Sequence, residues 1–195
     1  MRESPPDAAG QRELLRAERA ARGEDPLPPP REWCVVAWRL ESAGFAAGAA
    51  EAWRSALEAD PGLPQAHLGL GRALLSLRDP AGAAAAARRA LDAHAAAAAR
   101  GAEGLLEDPD EDPWYVLGQA EHLRGDLAAA VEAYGRSAER FPWFAEPLLE
   151  AARAEMARGD AAAAADAARR ALRRARWRPG FAREIEALLG SIPGA

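Results

Sequence analysis

The sequence of 195 residues contains no lysine, threonine or asparagine, so all 25 of its basic residues are arginine. This bias is typical of a genome rich in G and C, and we give the preference for arginine no chemical meaning. A single cysteine, Cys34, excludes an internal disulfide and fits a reducing compartment. Because neither the N-terminus nor any later segment has a long apolar run, we expect no secretory signal and no membrane span. These absences predict a bacterial, cytoplasmic protein.

Patterns that would support catalysis or metal binding are also missing. No two of the three histidines, His67, His94 and His122, have the spacing of metal ligands. The stretch "GLGRALLS" lies inside a predicted helix and lacks the Lys-Ser/Thr ending of a phosphate loop, and "EDPDED" lacks the central glycine and terminal glutamate of a calcium loop. Cys34 has no histidine within one helical turn, which favours a packed thiol over a nucleophile. We therefore predict a protein that is not an enzyme and needs no cofactor or metal.

Alanine is what the sequence has in excess, with 53 residues, whereas aromatic residues are few. Alanine is the best helix former and buries little area, so the chain is expected to fold into closely packed helices. From Arg31 onward the apolar residues follow a helical period that is interrupted by Gly-Asp, Asp-Pro or Pro-Gly, and no stretch alternates as a strand does. The fold class predicted from these patterns is all-α.

An internal repeat of 34 residues runs through most of the chain. Residues 30–63 match residues 111–144 at an offset of 81, so that Trp53 aligns with Tyr134, and residues 64–97 match residues 145–178 in the same way. The aromatic residues at the matched positions are expected in the core: Trp33, Trp53, Trp114 and Tyr134. Each unit divides into two predicted helices: 31–44 with 46–60, 64–78 with 80–100, 112–124 with 126–140, and 145–158 with 160–177. Small residues at equivalent positions of the first helices allow each of them to approach its second helix: Ala37, Gly71, Gly118 and Ala152.

The order of aromatic, Leu-Gly, aromatic, alanine and closing proline in these units resembles the tetratricopeptide repeat. The resemblance covers residues 30–178 and implies a right-handed α-α superhelix of four helix-turn-helix units. Repeats two and four depart from the pattern because they have alanine in place of the second-helix aromatic, and repeat four lacks the closing proline.

The segments outside the repeats have distinct predicted roles. Residues 1–29 are rich in proline and are interpreted as a flexible arm with one short helix, at residues 11–22. The insertion at residues 98–110 is predicted to extend the preceding helix to about Arg100 and then to form an acidic, glycine-rich loop. Residues 179–195 are expected to form a capping helix, with Phe181, Ile185, Leu188 and Leu189 on one side.

The resemblance also implies that the first helices line a concave groove, which we take as the partner-binding surface. The candidate binding residues are apolar and polar side chains of these helices: Trp38, Leu68, Arg72, Tyr115, Gln119, His122, Leu149 and Arg153. Such a lining suits a peptide with an acidic group, because arginine can bind a carboxylate with two hydrogen bonds. Two alternatives remain for Trp38 and Tyr115, which either cover a neighbouring repeat or receive Leu14 and Leu15 of the arm.

A basic run near the C-terminus forms a second candidate patch on one helical stripe: Arg169, Arg170, Arg173 and Arg174. The interpretation that we favour is a solvated convex face whose arginines pair with Asp166, Glu184 or Glu186. The alternative is a site for phosphate or acidic groups.

These observations together predict an adaptor or scaffold that binds a protein or peptide partner in its groove. The first alternative is a self-assembling protein, built end to end or by exchange of the arm. The weaker alternative is a binder of nucleic acid or of an acidic surface through the arginine cluster. The net charge of −5 argues against a general role in nucleic-acid binding.

Overall fold

The computed structural model describes residues 8–23, 29–101 and 112–194, and within these ranges it contains helices and turns without a strand. The helices are α1 (Ala8–Ala21), α2 (Pro30–Ser42), α3 (Ala46–Ala59), α4 (Pro64–Ser76), α5 (Pro80–Ala99), α6 (Pro113–Arg124), α7 (Leu127–Arg140), α8 (Glu146–Arg158), α9 (Ala161–Arg174) and α10 (Pro179–Ser191). A short 3-10 helix, Ala175–Trp177, separates α9 from α10.

The chain divides into two compact units, residues 1–102 and residues 103–195. In the first unit α2 packs against α3 and α4 against α5, and α3 packs against α4 to join the two hairpins. In the second unit α6 packs against α7, α8 against α9 and α7 against α8, and α10 then packs against α9. Each unit is thus a stack of two helical hairpins, which confirms the predicted all-α fold of paired helices.

The turn between the two helices of each hairpin repeats with the sequence. Gly44, Gly125 and Gly159 have φ values of 82°, 81° and 85°, and Arg78 occupies the equivalent place with a φ of 61°. Three of the four second helices begin after an aspartate whose carboxylate accepts a backbone N–H of the first turn, at Asp79, Asp126 and Asp160. Left-handed backbone and a side-chain cap are the usual way to end one helix and begin the next, so local chemistry defines the hairpins.

The apolar cores of the two units are built on the predicted aromatic residues, with one exception. Trp33 and Trp53 are buried in the cluster of the first unit, and Tyr134 is buried in that of the second. The exception is Trp114, which was expected in the core but is only half-buried. The Arg136 guanidinium lies over its ring, 5.9 Å from the centroid.

The predicted capping helix is present as α10. Ile185 is fully buried in the core of the second unit. Phe181, Leu188 and Leu189 pack against the same core, so the four apolar residues share one side as predicted. Because α10 covers α9, the last repeat does not leave its apolar face open.

The segments outside the repeats differ in part from expectation. The arm helix runs from Ala8 to Ala21 and contacts α3, and Arg19 forms an ion pair with Glu32 at 2.7 Å. The helix α5 extends through the alanine run to Ala99, close to the predicted end. The predicted acidic loop that follows falls on residues 102–111, which lie outside the described ranges.

Candidate protein-binding faces

The first-helix face of the first unit, which we call the α2–α4 face, presents Val35, Trp38, Glu41 and Arg72. Trp38 exposes 61% of its surface and Val35 exposes 50%, and the two residues are three apart on α2, so they share one side of the helix. Trp38 therefore covers little of its own unit. The alternative that it serves to cover a neighbouring repeat is not favoured by this exposure.

Arg72 on α4 is already bound to a carboxylate of the chain. Its Nε donates to Glu41 Oε1 at 2.8 Å and its Nη2 donates to Glu41 Oε2 at 3.2 Å, which joins α2 to α4. Both side chains are about one-quarter exposed. The sequence predicted that this arginine would bind a carboxylate of a partner with two hydrogen bonds. In the structure the carboxylate is Glu41 of the same unit, and the pair holds the two first helices together.

Two of the predicted groove residues are corrected by their burial. Leu68 exposes 3% of its surface and Leu149 exposes 1%, so neither side chain is available to a partner. Leu149 belongs to the same apolar cluster as Tyr134, and Tyr115 packs against that cluster. Both leucines occupy the same position in the repeat, and in these two repeats the side chain at that position is packed inside its unit.

In the second unit the α6–α8 face presents Tyr115, Gln119, His122 and Arg153, all of them half-buried. The ring of Tyr115 lies 5.3 Å from Phe144 and 5.9 Å from Tyr134, measured between centroids. Tyr115 therefore covers the neighbouring hairpin, which agrees with the alternative interpretation and leaves only part of its ring for a partner. Burial first, and then the nearby Glu150 and Tyr115, raise the pKa of Tyr134, which keeps that phenol neutral.

Arg153 also has partners within its unit. Its guanidinium donates to Glu150 on the same helix and to Glu184 on α10, each at 2.5 Å. Burial opposes the charge of Arg153, but the two carboxylates outweigh this and raise its pKa. Arg153 occupies the same repeat position as Arg72, and both arginines tie their helix to a neighbouring one.

The arginine cluster on α9 has mixed surroundings. Arg169, Arg170 and Arg173 are exposed, and Arg170 approaches Asp166 only to 3.8 Å. Arg174 is half-buried and donates to the backbone oxygen of Phe144 at 3.2 Å. Burial and the nearby Arg170 lower the pKa of Arg174, which is consistent with a local excess of positive charge. Glu184, one of the predicted partners of the cluster, is bound to Arg153 instead.

Neither a metal cluster nor a reactive thiol stands out among the described residues. In the described ranges no three His, Cys, Asp or Glu side chains converge as metal ligands do. Burial raises the pKa of the half-buried Cys34 thiol, which disfavours the reactive thiolate. No helix in the described part of the chain combines the length and apolar character needed to cross a membrane.

Sequence reasoning missed two exposed aromatic residues. Trp143 exposes 65% of its surface and Trp177 exposes 80%, and they occupy the same position in repeats three and four. The signal was present, because a tryptophan recurs after 34 residues at a position that is not part of the packing pattern. Recurrence outside the core positions indicates a surface feature.

Comparison with solved structures identifies the class of fold. PilW, described as a type IV pilus biogenesis factor, superposes with a TM-score of 0.62 over 97% of this chain and 96% of its own, at 19% identity. YrrB, described as a tetratricopeptide-repeat protein with an unusual peptide-binding site, gives 0.54 over 83% and 84% at 19% identity. A tetratricopeptide-repeat protein of Thermus thermophilus gives 0.56 over 84% and 80% at 18% identity.

These matches define an all-α protein built from helical hairpins, and the fold of the chain is that of the tetratricopeptide repeat. The resemblance recognised in the sequence is confirmed at the level of fold. Protein-family models and curated protein sequences gave no match.

Proposed function

We propose that this chain is a non-catalytic interaction scaffold that binds a segment of a partner protein on its first-helix faces. The observation that supports this most directly is the exposed pair of Val35 and Trp38 on α2. Tryptophan is among the residues that contribute most to binding energy when a partner covers them. A large aromatic side chain that covers little of its own unit is better explained by a partner than by stability.

The partner contact on the α2–α4 face is expected to be apolar at its centre. Arg72 is engaged by Glu41, so a carboxylate of the partner would have to displace an existing two-pronged ion pair. An aliphatic or aromatic side chain can cover Trp38 without breaking that pair. The ion pair then forms a polar border next to an apolar contact, which is the usual arrangement of an interface.

The α6–α8 face offers a different set of groups. Gln119 and His122 are half-buried polar side chains that can bond the backbone of an extended segment, and the exposed part of the Tyr115 ring supplies apolar area. Arg153 is held by Glu150 and Glu184, so it contributes a fixed polar edge. Support for peptide binding in this fold comes from YrrB, whose structure is described as having a peptide-binding site.

The test is a quantitative affinity capture with the full chain from lysate of the source cell. Trp38→Ala should reduce the captured amount of at least one protein by roughly tenfold or more. The reason is that loss of a central tryptophan costs more than about 1.4 kcal/mol of binding free energy. The helical circular dichroism should be unchanged because the side chain is exposed. Arg39→Ala, an exposed neighbour on the same helix, is the matched control and should capture normally. Equal capture by wild type and Trp38→Ala contradicts the proposal.

A further inference from the structure

Trp143 and Trp177 stand at equivalent positions of two consecutive loops in the second unit, and both are mainly exposed. They belong to the turn that follows α7 and to the 3-10 helix that follows α9. Single apolar residues on a surface are ordinary, but two tryptophans at the same repeat position form a recurring feature.

The two loops that carry Trp143 and Trp177 are fastened to each other by two side-chain contacts. Arg174 donates to the backbone oxygen of Phe144, and Arg178 forms an ion pair with Glu146. Trp143 is further supported by Phe141, whose ring meets it edge to face at 5.7 Å between centroids. The two loops are therefore held in place before any partner arrives, and this reduces the entropy lost on binding.

One arginine lies over the Trp177 ring, and a second lies over Phe141, the ring that supports Trp143. The Arg176 guanidinium lies over the Trp177 ring at 5.0 Å, and that of Arg140 lies over Phe141 at 5.7 Å. Among the described residues, Arg173 and Arg176 form no ion pair. We call the set Trp143, Trp177, Arg140, Arg173 and Arg176 the Trp143–Trp177 edge.

The first unit shows that the fold does not need these tryptophans. The residues of repeats one and two at the same position are Gly62 and Ala96, and they line an open pocket of about 440 Å³ instead of a protruding edge. Asp92 occupies the position of Arg173 in that unit. Hairpins of the same kind thus pack without either tryptophan, so packing does not explain their presence.

The chemistry of the edge indicates an acidic ligand with an apolar group. Tryptophan and arginine are the residue types most enriched at binding hot spots, and unpaired guanidinium groups favour carboxylates. A long polyanion is less suitable, because the whole chain carries a net charge of −5 and would repel it at a distance. The binding of a short protein segment depends mainly on the local positive charge of the edge.

We propose that the Trp143–Trp177 edge is a second docking surface, which binds a short acidic segment of a partner protein that also carries an aromatic or aliphatic side chain. The apolar side chain covers the two indoles, and the carboxylates bind Arg173 and Arg176. This surface shares no residue with the α2–α4 face, and its binding does not depend on Trp38.

The test selects ligands from a phage-displayed library of random 12-residue peptides on the immobilised full chain. The expected peptides combine Asp or Glu with Trp, Phe or Leu, and they bind the free protein in fluorescence anisotropy. The double variant Trp143→Ser with Trp177→Ser should weaken binding by at least tenfold, and Arg176→Glu should also weaken it. Leu123→Ser, which changes an exposed apolar residue of α6 outside the edge, should leave the affinity unchanged.

Three results overturn the proposal. They are failure to enrich any peptide, enrichment of peptides without acidic residues, and equal binding of the selected peptides to wild type and to the double variant. Labelled oligo-dT and vesicles with phosphatidylserine are tested in parallel. Binding of either probe that is lost in the double variant, without peptide binding, assigns the edge to nucleic acid or to membranes and rejects a protein ligand. Thermal unfolding of each variant shows whether the exposed substitutions leave the fold intact.

Discussion

The ring of Tyr134 lies against the backbone of Gly118 so closely that a β-carbon added at Gly118 would come within 2.5 Å of its Cδ1 and Cε1 atoms. Gly118 is in α6 and Tyr134 is in α7, so this contact sets how near the two helices of repeat three approach. A comparable contact joins Gly69 to Trp53 in the first unit, where the added atom would lie 2.2 Å from the indole. In both places a large ring requires a residue without a side chain on the opposing helix.

Gly118→Ala should therefore destabilise the protein although alanine is the better helix former. Forcing a methyl group against the buried Tyr134 ring costs about 1 to 3 kcal/mol of unfolding free energy. The matched control is Gly135→Ala in α7, where an added β-carbon meets nothing within 4 Å. That substitution should raise the unfolding free energy by about 0.5 to 1 kcal/mol. Urea unfolding followed by circular dichroism measures both, and a stabilised Gly118→Ala would contradict the packing described above.

Arg78→Gly should stabilise the turn between α4 and α5. Arg78 is the one residue other than glycine with positive φ among the described residues, and the three equivalent turns use Gly44, Gly125 and Gly159. A left-handed conformation costs an L-residue about 1 to 2 kcal/mol, part of which is offset by the greater entropy of unfolded glycine. We expect a gain of roughly 0.5 kcal/mol in differential scanning calorimetry. The reverse change, Gly125→Ala, should lower the melting temperature, and no change in either variant would show that the turns are not strained.

The ion pair between the buried Glu121 and the exposed Arg124 is replaceable by apolar residues. Their equivalents in repeat two are Leu74 and Leu77, so the fold accepts either solution at this place. Arg124→Leu removes one cationic partner of the buried carboxylate and should cost on the order of 1 kcal/mol. Adding Glu121→Leu should restore stability to the wild-type value or above it, because the desolvated charge is removed as well. A double variant less stable than Arg124→Leu alone would refute this explanation.

Asp112→Asn should change how stability depends on pH. Burial raises the pKa of Asp112 above 3.8, although the Ser137 side chain, the Trp114 N–H and Arg140 act in the opposite direction. The folded state therefore binds this proton more tightly than the unfolded state, and the contribution of Asp112 to stability falls as pH rises from about that value through its raised pKa. Asparagine keeps the bond from the Trp114 N–H to Oδ1 without the charge, so the variant should gain stability relative to wild type between pH 4 and pH 7.

Unfolding in urea at pH 4, 5.5 and 7 measures this difference. Asp126→Asn is the control, because Asp126 caps α7 in the same way at an exposed position. A constant difference between Asp112→Asn and wild type across this range would contradict the assignment of the pH dependence to Asp112.

The repeat architecture was predictable from the sequence because interactions between residues close in the chain specify it. Helix ends follow from Asp126 and Gly125 or their equivalents, and the spacing of Trp53, Tyr134 and the alanines follows from which sides of the helices must meet. Each of these signals acts over one or two helical turns, and the set of signals occurs four times at intervals set by the 34-residue repeat. The candidate binding residues were less predictable, since the same repeat position is buried at Leu68 and Leu149 but half-buried at Tyr115.

The sequence by itself thus determined the class of fold, the helices and the residues whose size sets the packing, because helix formation and close approach depend on neighbours in the chain. The tertiary structure decided which charges are paired and which aromatic residues are exposed. Residue type and repeat position predicted that Arg72 and Arg153 bind a partner, but they are bound to Glu41 and Glu184 within the chain. Residue type alone cannot reveal such pairing. Trp143 and Trp177 lie at a repeat position different from those of Trp33 and Trp53, but how much of each ring is exposed is decided by the packed hairpins.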